Sequence, residues 1–143
     1  MYENIPQTLK NLPNWICWKA VSQPRPDDPE HIGKIPINPL TGGNAQSNNP
    51  DTWTDFETAV KASEQFTGIG FMFGNSPYFG VDVDKVEPDI REFLDGGNGI
   101  VSEFIHALQS YAELSPSGKG IHIICRGELP KGARRRGNVE MYD

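Results

Sequence analysis

Tyr78-Phe79-Gly80-Val81-Asp82-Val83-Asp84-Lys85-Val86 alternates apolar β-formers with carboxylates. In a strand, successive side chains point to opposite faces. Val81 and Val83 would then face a core, and Asp82 and Asp84 would stand together on the other side, about 7 Å apart. Two later stretches repeat the pattern: Ile121-His122-Ile123 and Val139-Glu140-Met141-Tyr142. The same parity places His122 and Glu140 on the polar side. Two aspartates on one strand and a third carboxylate on a neighbour supply the hard oxygens that magnesium or manganese prefers. Unpaired carboxylates inside an apolar run are costly, and a bound divalent ion would offset their repulsion. The leading reading is a metal-dependent reaction on a phosphate substrate.

Outward from that strand, Asn14 to Ala20 reads as a first strand, rich in aromatic and β-branched residues. Lys34 to Asn38 reads as a short second strand, confined to an edge by Pro36. Residues 22–32 and Thr41 to Asp51 read as loops. Thr54 and Glu57 have capping-box spacing, with Phe56, Ala59, Val60, Ser63 and Phe66 on one stripe and Gly68 as the stop. Ile69 to Phe73 is a strand. Residues 87–99 are acidic and Gly-rich, with one helical turn near Ile90–Leu94. A firmer helix covers Ile100 to Tyr111, with Ile100, Val101, Phe104, Ile105 and Leu108 inward. Ala112–Leu114, Gly120–Arg126 and Val139–Tyr142 complete the strands. The order β-β-α-β-β-α-β-β-β predicts an α+β fold with helices on one face of a largely antiparallel sheet.

The length of 143 residues fits one domain with a real core. Fifteen Gly and twelve Pro account for the loops, and no apolar run approaches the roughly 20 residues of a membrane helix. The first residues lack a signal-peptide profile, so a cytoplasmic location without membrane contact is expected. Cys17 and Cys125 lie in apolar strands, without CxxC spacing, and read as buried thiols. A net charge of −6 argues against indiscriminate DNA binding. Yet Lys119, Arg126, Lys131, Arg134, Arg135 and Arg136 face only Glu128 between Ser117 and Asn138. An acidic centre beside a basic strip suits a polyanion that comes with metal.

Ser115-Pro116-Ser117-Gly118-Lys119-Gly120-Ile121-His122 is the second chemical feature. Gly118 and Gly120 would let backbone N–H groups approach an anion, Lys119 supplies a point charge, and His122 can donate to a phosphate oxygen. The Walker A spacing is absent. A Gly-rich hairpin with an exposed lysine is the bland alternative.

Taken together, Asp82-Val83-Asp84, Ser117-Gly118-Lys119-Gly120-Ile121-His122 and the run ending Glu140-Met141-Tyr142 resemble the three ordered motifs of the archaeo-eukaryotic primase superfamily. The phage and mobile-element primase-polymerases are the nearest likeness. Asn14-Trp15-Ile16-Cys17-Trp18-Lys19, Lys34-Ile35-Pro36-Ile37-Asn38-Pro39, Asn49-Pro50-Asp51-Thr52-Trp53 and Ser110 to Ser117 extend it nearly end to end. The resemblance implies an N-terminal α/β unit (residues 1–75) and an RRM-like catalytic unit (residues 76–143), with the active site between them. It implies template-directed nucleotidyl transfer in DNA replication, priming or extending on a single-stranded DNA template with nucleoside triphosphates. Asp82, Asp84 and Glu140 would hold two Mg2+ or Mn2+ ions. His122 would contact the triphosphate, with Ser117, Gly118 and Lys119 beside it. Arg134, Arg135 and Arg136 could touch template phosphates, unless they are a solvated loop run. The family domain usually continues beyond its third acid, often toward a helicase domain or subunit. Glu140 stands near the end of these 143 residues, so a C-terminally truncated domain is expected.

Two other classes stay open on the residues alone. One is a non-catalytic nucleotide- or single-stranded nucleic-acid-binding module of the same fold. The other is a glycosyltransferase whose Asp-x-Asp holds manganese, which leaves the Ser-Gly-Lys-Gly-Ile-His turn and Glu140 without a task.

Overall fold

The computed structural model describes residues 2–143, which divide into two units, residues 2–76 and 77–143. Each has its own antiparallel sheet, and the architecture is α+β.

In the first unit a short helix α1 (Gln7–Lys10) leads into β1 (Trp15–Ser22), followed by β2 (Ile32–Ile37), α2 (Phe56–Ala62) and β3 (Gly68–Phe71). The strand order is β2-β1-β3. Pro36 sits on the edge strand, where its missing N–H is harmless. β1 begins with three consecutive buried residues, because both of its faces are covered. On one side Trp15 meets Phe56 and Phe71 edge to face, at 5.0 and 5.2 Å between centroids, and the Cys17 thiol donates to the Ala59 carbonyl. On the other, Ile16 packs with Ala45 and Trp53.

The second unit runs β4 (Tyr78–Val83), α3 (Glu87–Leu94), α4 (Ile100–Leu108), β5 (Tyr111–Leu114), β6 (Ile121–Arg126), β7 (Arg135–Arg136) and β8 (Val139–Tyr142). The five strands lie in the order β5-β6-β4-β8-β7, every pair antiparallel. Val81, Val83, Ile121, Ile123 and Cys125 all point to one face and pack with Val86, Ile90 and Val101. Burial of each such aliphatic side chain contributes about 1.5–3 kcal/mol, which ties α3 and α4 to this face. The opposite face carries Glu113, His122, Asp82 and Glu140, with Ile124 and Gly80 one step along it.

Several expectations need correction. The helix cap is Asp55, whose Oδ1 accepts the Thr58 N–H at 2.9 Å, and not Thr54. Thr54 cannot start the helix because its backbone is bridged to Trp15 in both directions. Gly68 opens β3 instead of closing α2. Residues 87–94 form a full helix, with Pro88 in its first turn and Glu87 and Asp89 at the positive end of its dipole. α4 stops at Leu108 because Gln109 turns left-handed (φ 44°), so Tyr111 belongs to β5; Ile100, expected inward, is 38% exposed. The elements α1 and β7 had no counterpart in the sequence reading.

Cys17 and Cys125 are buried free thiols, as the sequence indicates, and burial raises both pKa values. No helix among the described residues is long and apolar enough to cross a membrane.

Candidate functional site

Antiparallel register assembles the polar face of the second unit. Glu113 on β5 is paired with His122 on β6, His122 with Asp82 on β4, Asp82 with Glu140 on β8, and Glu140 with Arg135 on β7. Residues directly opposite each other have Cβ atoms roughly 4.5–5.5 Å apart, so this is one continuous row across all five strands. The bulk of the row is only partly exposed; the side chains of His122 and Asp82 are 22% and 24% accessible.

The contacts along the row are specific. His122 Nε2 lies 3.5 Å from Asp82 Oδ1, and His122 Nδ1 lies 3.6 Å from Glu113 Oε1. Both become ion pairs when the ring is protonated. Tyr111 donates its hydroxyl to Glu113 Oε2 at 2.8 Å, and Tyr142 donates to Asp82 Oδ1 at 2.7 Å. Burial, then the neighbouring carboxylates Glu113 and Asp82 respectively, pushes the two phenols far above the usual tyrosine range, so both remain donors. Arg135 Nη1 reaches Glu140 Oε2 at 3.5 Å. Asp82 and Glu140 are like charges directly opposite, an arrangement that destabilises a sheet unless a cation offsets it.

Asp84 does not share β4. The strand ends at Val83, and Lys85 takes a left-handed conformation (φ 56°) that bends the chain into α3. This corrects the strand expected through Val86. The Asp84 N–H still bonds the Asn138 carbonyl at 2.8 Å, which holds Asp84 beside the entry to β8.

The Ser115–Gly120 turn lies against that exit. A Cβ on Gly120 would come within 2.6 Å of the Val83 carbonyl and 3.3 Å of Asp84 Oδ1, so only glycine allows the approach. Gly118 supplies a positive φ of 72°. The N–H groups expected to face an anion are engaged within the turn: Gly118 N–H bonds Ser115 O, Lys119 N–H bonds Ser117 Oγ, and Gly120 N–H bonds Ser115 Oγ. What the turn presents is therefore the Lys119 ammonium and hydroxyls, not a backbone nest.

The three arginines are separated by strand alternation. Arg135 lies on the polar face above Glu140, while Arg136 pairs with Val139 and points to the other side. Arg134 Nη1 is bound to Asp143 Oδ1 at 2.6 Å.

Asp82, Asp84 and Glu140 are donors of the type a hard divalent ion takes. Among the described residues, however, no group of three or more His, Cys, Asp or Glu side chains is gathered closely enough to hold a metal ion. Asp82 leans on Tyr142 and His122 through Oδ1 alone, and Glu140 on Arg135, so closure around a cation requires Glu140 to turn from Arg135.

Sequence reasoning missed Glu113, Tyr111 and the contact of Tyr142 with Asp82. Tracing the hairpin register back from His122 through the turn would have placed Glu113 opposite it. Tyr142 stands two residues from Glu140, hence on the same face.

The motifs, now seen to converge, belong with the phage primase-polymerases, to which the chain is related along most of its length. It is 31% identical over 131 residues to the DNA primase-polymerase of Nitratiruptor phage NrS-1, a match covering 87% of this chain. The chain spans only 16% of that relative. No family model matches it.

Proposed function

We propose that the second unit is the nucleotide- and metal-binding part of a primase-polymerase, working in template-directed nucleotidyl transfer during DNA replication of a phage or mobile element. The single observation that carries this reading is the register that brings Asp82, His122 and Glu140 into one row beside the Lys119 turn. The relative named a DNA primase-polymerase supports it.

In this reading Asp82, Asp84 and Glu140 hold Mg2+ or Mn2+. A bound divalent ion would lower the pKa of the attacking 3′-hydroxyl and neutralise the departing pyrophosphate. The protein's own part is to place and balance charge. Lys119 and His122 meet the triphosphate as donors, with the Ser117 hydroxyl and the Gly118 bend shaping the turn. Arg135 neutralises Glu140 until a ligand displaces it. Arg134 and Arg136, on the β7 side, take phosphates of a single-stranded DNA template in a salt-sensitive way.

Manganese-dependent incorporation of labelled nucleotide on a primed template tests the reading. Asp82→Ala and Asp84→Ala each lower the rate at least about a hundredfold, with the melting temperature unchanged. Undiminished synthesis in the double variant rejects it. A nucleotide-binding module without turnover is the second reading, favoured by the Glu140 carboxylate, which already has Arg135 as its partner. It predicts binding of a nucleoside triphosphate with no incorporation at any manganese concentration.

A further inference from the structure

We propose that Tyr142 is a positioning residue that aims the Asp82 carboxylate, and that Gly80 is the notch that seats it; this rests on the metal-binding reading above. Gly80 and Tyr142 are cross-strand partners on β4 and β8. The phenol ring lies directly over the glycine. A Cβ at residue 80 would fall 2.5 Å from Tyr142 Cζ and 2.8 Å from its hydroxyl oxygen, so any other residue there displaces the ring. Aromatic rings commonly cover glycines in this way within sheets. Seated there, the hydroxyl reaches two residues along β4 to Asp82 Oδ1 at 2.7 Å.

His122 Nε2 approaches the same oxygen at 3.5 Å. Both groups therefore converge on Oδ1, and Oδ2 is the oxygen left for a cation. The arrangement answers a specific problem. Asp82 is directly opposed by Glu140, and a carboxylate facing another carboxylate would rotate away from it. A donor on a half-buried ring seated over Gly80 opposes that rotation, as outer partners of metal-ligating groups do generally. The Asp82 orientation is thus set before any ion arrives, at the expense of a side chain at position 80.

The test is manganese binding to the chain, followed by the electron paramagnetic resonance signal of free Mn2+, together with thermal melting. Wild type is expected to bind and Asp82→Ala to lose binding. Tyr142→Phe should bind about tenfold more weakly at an unchanged melting temperature, the low end of what loss of an outer partner causes. Gly80→Ala should do the same by moving the ring, and the double variant should be no weaker than the weaker single one, because both changes remove one contact. Wild-type affinity in Tyr142→Phe, with binding lost in Asp82→Ala, overturns the proposal and leaves the functional reading standing. Equal binding by wild type and Asp82→Ala, or none by wild type, removes both. Should Tyr142→Phe melt early, Gly80→Ala decides: it retains the phenol but shifts it, and full manganese affinity there overturns the proposal.

Discussion

β1 and β4 are both central strands of antiparallel sheets, yet they are built oppositely. β1 starts with Trp15, Ile16 and Cys17 all buried, since α2 covers one face and Trp53 with Ala45 the other. β4 buries Val81 and Val83 and turns Asp82 between them to the polar side. β1 opens with apolar residues on both faces, and β4 alternates apolar with polar. The row from Glu113 to Arg135 is therefore no by-product of sheet geometry. It sets one like-charged pair, Asp82 and Glu140, directly opposite each other where an apolar or oppositely charged pair would be more stable.

That contrast has measurable consequences, the largest in β1. Trp15→Ala removes a ring wedged between Phe56 and Phe71, and should lower stability by about 3–5 kcal/mol in a urea titration. Ile123→Ala, on the buried side of β6, should cost about 2–4 kcal/mol by the same measurement. Asp55→Ala removes the α2 cap and should cost about 1 kcal/mol. The Thr58 N–H, with its hydroxyl, holds the Asp55 pKa below its ordinary value. Its stabilising effect is thus complete above about pH 4, the unfolded value, and fades as pH falls through the folded one. Wild type and Asp55→Ala should therefore converge in melts at decreasing pH. The smallest effect belongs to the polar row. Asp82→Asn relieves the opposition with Glu140 and should shift stability by no more than about 0.5 kcal/mol, upward if at all. A loss near 2 kcal/mol would show the row to be structural and erase the contrast with β1.

Strand parity was the legible part. Period-2 alternation placed Val81, Val83, Ile121 and Ile123 inward and Asp82, His122 and Glu140 together, because one buried face leaves a strand no other register. Asp84 was not legible: it continues the alternation on paper, but the left-handed Lys85 ends β4 one residue before it. The extent of α3 was hidden as well. Its outward Leu94 is 74% exposed and flanking glycines read as loop, while Ile90 gains its hold by long-range packing in the core with Val101 and the strand valines and isoleucines. The Thr54-x-x-Glu57 spacing pointed to Thr54 as the cap, and the long-range bridge from Thr54 to Trp15, invisible in local spacing, leaves that place to Asp55. The trio Arg134-Arg135-Arg136 looked like one patch because the two-residue strand β7 is too short to announce its alternation.

The Ser115–Gly120 turn is fastened to the strand exit twice, by the Lys119 carbonyl accepting the Val86 N–H at 2.8 Å and by the side-chain-free contact of Gly120 with Val83. A flap hinged at this turn would have to break the start of α3 in order to swing. The backbones of Lys119 and Asp84 are consequently held side by side on folding, and the entropy of ordering that backbone is met by folding and not by ligand capture. Slow hydrogen exchange at the Val86 amide, unchanged on adding nucleotide, is the signature of such a fixed latch.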